Sequence, residues 1–145
     1  MKQIAAASIL AAVASAALAE PMVLNAPDGV ALAGYDPVAY FTQNAALRGE
    51  VEHGVKWRGA MWYFVSDENL ERFEMDPQSF VPQYGGFCAF SAALGLKVPG
   101  DPTAFAVHGG KLYLVNSPGD LALWQKGIDA YVAKADALWP GIASR

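Results

Sequence analysis

The chain has 145 residues, 54% of them hydrophobic and 12% aromatic, with 10 basic against 14 acidic side chains and a net charge of −4. That mildly acidic balance gives no electrostatic footprint for nucleic acid or an anionic membrane surface. A single cysteine, Cys88, excludes an internal disulfide, and the length suits one domain standing on its own modest core.

Residues 1–19 open the chain with one charge, Lys2, an apolar run from Ile4, and the small-x-small ending Ala17-Leu18-Ala19. This pattern predicts a cleavable secretory signal peptide rather than a membrane anchor, with a periplasmic mature chain starting at Glu20 and no membrane attachment afterwards. An extended, turn-rich lead-in follows over 20–30. Asp36-Pro37 then favours a turn before a short apolar segment.

The stretch from Glu50 to Ser66 holds two β-branched and aromatic runs split near Arg58-Gly59, which predicts a hairpin. Ser66 is a suitable N-cap for a helix carrying Asp67 and Glu68 in its first turn and Leu70 and Phe73 on one face, with Pro77 as its stop. A short helix is expected after Gly85-Gly86, ending at Gly95. A second hairpin should turn at His108, Gly109 and Gly110. The tail reads as helix, interrupted at Gly127, with Ile128, Tyr131, Val132, Ala135 and Leu138 at helical spacing and a stop at Trp139-Pro140. The pattern predicts a small α+β domain of two β-hairpins with short helices, its C-terminal helix packed on the sheet. No internal repeat is visible after the leader.

The chemistry candidates are few. A soft or borderline metal wants several Cys, His or Met ligands together, and the chain offers Cys88, His53, His108 and Met61 among others, with no pair at local ligand spacing. Cys88 stands at a predicted helix start, where oriented amides favour a reactive thiol. With a histidine brought close it would be a nucleophile. Tyr84, Gly85, Gly86 and Phe87 form an aromatic, glycine-rich segment suited either to a ligand cleft or to a tight turn. His53 and His108 are expected at the surface, and the four tryptophans in the core.

The ordered set "GYDPVAYF", "WRGAMWYFVSDENLERFEMDPQSFVPQYGGFCAFSAALG", "GGKLYLVN" and "ADALWP" resembles the YHS domain family, more narrowly its exported single-domain members from Gram-negative bacteria. The likeness spans 31–140, leaving 141–145 as a tail. It implies a treble-clef-like fold and a role in metal sensing or transfer. In metal-binding members three cysteines form the site, and the matching positions here are Ala39, Val65 and Asn69, so structural zinc is not expected. Cys88 belongs to the subgroup's own signature.

The resemblance and the residues together point to a non-enzymatic periplasmic protein that handles a thiophilic metal, copper favoured, through Cys88. Two alternatives stand beside it. One is a metal-free binding module that takes a small ligand or partner protein in the cleft around Tyr84 to Phe90, and the other is a thiol-dependent enzyme using Cys88 with a histidine. The chain would be a monomer or a Cys88-linked dimer.

Overall fold

The computed structural model describes residues 22–145, so the expected signal peptide lies outside the described residues. After the lead-in, a left-handed turn at Ala31–Gly34 leads into helix α1 (Ala39–Thr42) and the hairpin of β1 (Glu50–Trp57) and β2 (Ala60–Phe64). Helix α2 (Asp67–Met75) follows. A second left-handed turn at Gln83–Gly86 precedes α3 (Ala89–Ala93), the hairpin of β3 (Asp101–His108) and β4 (Lys111–Val115), and helices α4 (Pro118–Trp124) and α5 (Ile128–Ala143). The architecture is α+β, with two antiparallel two-stranded sheets and a C-terminal helix packed on the sheet, as the sequence pattern predicts.

Local chemistry accounts for most boundaries. Arg58 and Gly59 have φ of 49° and 78°, and Gly109 and Gly110 of 58° and 73°. Two successive left-handed residues make a turn whose twist matches the flanking strands. Ser66 Oγ accepts the Asn69 amide at 3.2 Å, capping α2, and Ser117 Oγ accepts the Asp120 amide at 3.1 Å, capping α4. One boundary departs from expectation. α5 does not stop at Trp139-Pro140 but runs through Pro140 to Ala143. Buried Ile142 anchors that last turn to the core, which offsets the hydrogen bond that proline cannot donate.

The structure also overturns the reading that the chain has no repeat. The ladder Glu50↔Phe64, Gly54↔Tyr63, Val55↔Trp62, Lys56↔Met61 recurs 51 residues on as Asp101↔Val115, Phe105↔Leu114, Ala106↔Tyr113, Val107↔Leu112, with the same irregularity after its first pair. Upstream the offset is 52 residues. Leu32, Ala33 and Gly34 (φ 54°, 50°, 87°) match Tyr84, Gly85 and Gly86 (φ 55°, 63°, 86°). The Asp36 amide donates to Leu47 O as the Cys88 amide donates to Val98 O, and Gly49 bonds Gly34 O as Gly100 bonds Gly86 O. Parallel bridges Val30↔Met61 and Pro82↔Leu112 add a third short edge to each hairpin. The protein is thus two copies of one turn–helix–hairpin–helix unit.

Their hydrophobic interiors interlock. Trp62, Phe64 and Phe73 fill the first core, joined by Leu112 and Leu114 of β4. Tyr113 and Val115, on the opposite face of β4, join Cys88, Trp124 and Ala135 in the second. Strand β4 is therefore buried on both faces, which explains its continuous apolar run. Helix α5 covers the second core, with Trp139 edge-to-face against Tyr84 and tilted against Phe87, and Tyr131 edge-to-face against Phe90.

Candidate functional site

Cys88 is the N-cap of α3, as expected from the glycines before it, but its side chain is 0% exposed. The expectation of a reachable thiol fails, because the core formed with Ala89, Ala92, Tyr113 and Trp124 closes over the sulfur. Sγ accepts two backbone amides, Ser91 at 3.4 Å and Asn116 at 3.2 Å.

The duplication explains this arrangement. In the first unit the equivalent of Cys88 is Asp36, also 0% exposed. Its Oδ1 accepts the amides of Val38 at 2.7 Å and Ala39 at 3.2 Å, and its Oδ2 accepts the Val65 amide at 2.9 Å and the Asn69 side-chain amide at 2.7 Å. Ser91 and Asn116 stand where Ala39 and Val65 stand. Sulfur and carboxylate hold the same seat, tying a helix start to the end of a hairpin. Ala39, Val65 and Asn69, the three positions where the family resemblance places thiolates, all converge on the Asp36 carboxylate. Sequence reasoning saw Asp36 only as a turn residue. The available hint was an acid inside an otherwise apolar stretch.

The other proposed ligands are dispersed. His53, on β1, directs Nδ1 to Asp67 at 2.7 Å and Nε2 to Glu50 at 3.5 Å. His108 ends β3 and pairs with Asp129 of α5 at 3.0 Å. Met61 lies on β2, paired with Lys56 across the hairpin. Among the described residues, no group of three or more His, Cys, Asp or Glu side chains converges as metal ligands do. Neither histidine bonds the buried sulfur of Cys88, so no nucleophile–base pair forms there.

The aromatic, glycine-rich segment does form a cleft, though not with all four expected residues. Tyr84 and Gly85 line a depression of about 750 Å³ with Met22, Pro82, Trp139 and Pro140. Gly86 faces a different cavity, and Phe87 packs on Trp139 at a centroid distance of 5.7 Å instead of lining either. The paired glycines are needed by the chain itself. A Cβ on Gly85 would stand 1.7 Å from Val23 O, and Gly85 O accepts the Asn25 amide at 2.8 Å. The lead-in crosses directly over Gly85, which only glycine permits.

Tyr84 is held for this cleft by a hydrogen bond of 2.8 Å from its hydroxyl to Asp136 Oδ1. Burial, then that carboxylate partner, pushes the Tyr84 phenol far above its ordinary range, so it stays neutral. Among the described residues no ionisable side chain other than this tyrosine lines the cleft; Gln78, Gln83 and Ser144 supply the polar groups. Among the described residues no helix is long and apolar enough to cross a membrane. Compared with models of protein families, with curated proteins and with solved structures, the chain matches none.

Proposed function

We propose that the protein is a non-enzymatic, metal-free binding module whose cleft beside the packed Tyr84 and Trp139 rings takes a small neutral ligand with an aromatic or flat apolar body. The carrying observation is the cleft of about 750 Å³, walled by two aromatic rings and edged by side-chain amides and a hydroxyl, with no charged group among the described residues that line it. Pockets of about 300–1,000 Å³ with apolar walls and a few polar groups are the usual form of small-molecule sites. A charged ligand would lose its hydration here without gaining a counter-charge. The geometry favours this reading over copper handling, since Cys88 is enclosed and engaged by two amides and the histidines lie elsewhere. Export to the periplasm and membership of the YHS family belong to the same proposal and rest on the leader pattern and the quoted motifs.

Benzamide and its charged counterpart benzoate separate the possibilities. In NMR titrations, benzamide is expected to shift the Trp139 indole N–H and the Tyr84 and Gly85 amides saturably, benzoate much less, and Trp139→Ala is expected to abolish the shifts of the Tyr84 and Gly85 amides. Equal response to both probes, or shifts that miss Trp139 and Tyr84, would refute the proposal.

A further inference from the structure

A second cavity of about 510 Å³ lies where the two units meet, on the other side of the lead-in from the Tyr84 cleft. Its walls come in matched pairs from the two copies: Gly34 and Gly86, Gly49 and Gly100, Tyr63 and Leu114, Arg48 and Pro99. The last pair breaks the symmetry. Where the first unit presents a guanidinium, the second presents a proline ring. Asp28, also from the first unit's side, lines the same cavity. Both charges that line the cavity therefore come from the first unit, whereas the second contributes Pro99, Pro102 and Leu114, which are apolar.

Among the described residues neither charge is paired, for Arg48 and Asp28 make no ion pair with each other or with any other side chain. Arg48 is nonetheless held. Its guanidinium lies 4.8 Å over the Tyr35 ring, and one nitrogen donates to Ala33 O at 3.4 Å. That contact uses only part of its donor fork, and the rest can bind a carboxylate in bidentate fashion.

We propose that this cavity is a second, independent site for a small zwitterion with an apolar body, such as a free amino acid with a large side chain. Arg48 receives the carboxylate, Asp28 the ammonium, and the Pro99–Pro102–Leu114 wall the side chain. A simple anion would meet repulsion from Asp28, and a simple cation repulsion from Arg48. Only a ligand carrying both charges satisfies the pair. The duplication supplies the logic of the site, because one copy presents a charged edge and the other an apolar one.

The test uses phenylalanine, N-acetylphenylalanine and phenethylamine, which carry both charges, the negative one alone and the positive one alone. Two-dimensional NMR of the full-length mature chain reads the amides of Gly34, Gly49 and Gly100 for this cavity and the Trp139 indole for the other. Phenylalanine is expected to shift the three glycines saturably while leaving Trp139 unmoved. Each single-charge analogue should bind about tenfold or more weakly. Both Arg48→Gln and Asp28→Asn lie on exposed side chains and should weaken phenylalanine by a similar factor. Tighter binding by Asp28→Asn would show a simple anion site and overturn the zwitterion. So would N-acetylphenylalanine binding as well as phenylalanine, or no saturable shift at the glycines.

Discussion

Replacing Cys88 by alanine tests the view that its sulfur is a structural acceptor. The substitution removes the group that receives the Ser91 and Asn116 amides at 3.4 and 3.2 Å, in a side-chain site that is 0% exposed. A buried amide left without a partner costs about 1–3 kcal/mol. Sulfur is a weak acceptor and Asn116 lies near solvent, so about 1 kcal/mol for each amide is appropriate. The missing sulfur volume adds about 1 kcal/mol, giving a loss of about 3 kcal/mol. For a domain of this size that lowers Tm by about 10 °C. Urea denaturation gives the free energy and calorimetry the midpoint. Cys88→Ser should fall between wild type and Cys88→Ala, since its oxygen can still accept but sits closer to Cβ. Cys88→Asp should be worse than Cys88→Ser. Asn69 donates to Asp36 in the first unit, whereas the equivalent position in the second is Asp120, which offers no proton. A loss below about 1 kcal/mol for Cys88→Ala, or native Cys88 alkylating as fast as in urea, would refute the reasoning.

Asp36→Ala strands three backbone amides and the Asn69 side chain in the core, and should cost about 4 kcal/mol or more by urea denaturation; a loss under about 1.5 kcal/mol would contradict its role. Phe73, buried against Trp57, Trp62 and Phe64, should lose about 3–5 kcal/mol on replacement by alanine. Burial raises the phenols of both Tyr40 and Tyr84 above the unfolded value of about 10, so their contribution is complete below that pH and declines as pH rises beyond it. Urea midpoints should therefore fall in alkali, and Tyr84→Phe should make the fall shallower; an unchanged slope would count against a neutral, buried Tyr84.

What the sequence disclosed was local. Arg58-Gly59 and Gly109-Gly110 announce their hairpins because the left-handed turn is a property of two residues, and Ser66 announces α2 because a cap bonds three residues away. Other features depend on what folds over them. The glycines before Cys88 looked like an approach for a ligand, but Val23 occupies the space. Cys88 looked accessible at a helix start, but Tyr113 and Trp124, far along the chain, enclose it. Of the four metal candidates, Cys88 went to the core while His53 and His108 found carboxylates, and no spacing rule foresees such distant pairings. The repeat escaped because its likeness lies in backbone angles and hydrogen bonds. Between Gly54–Phe73 and Phe105–Trp124 only Gly59/Gly110, Ser66/Ser117 and Leu70/Leu121 are identical.

The two-sided burial of β4 governs how the molecule comes apart. Leu112 and Leu114 complete the interior of the first unit, so that unit expressed alone, ending near the Pro77–Ser79 turn, would present an uncovered apolar face to water. The second unit alone would expose the other side of the same wall. Neither duplicate should fold on its own despite its complete set of elements, and the whole should melt in a single cooperative step. Separately produced fragments cut at that turn should each remain unstructured yet regain circular dichroism on mixing, with β4 as the shared partition that neither can do without.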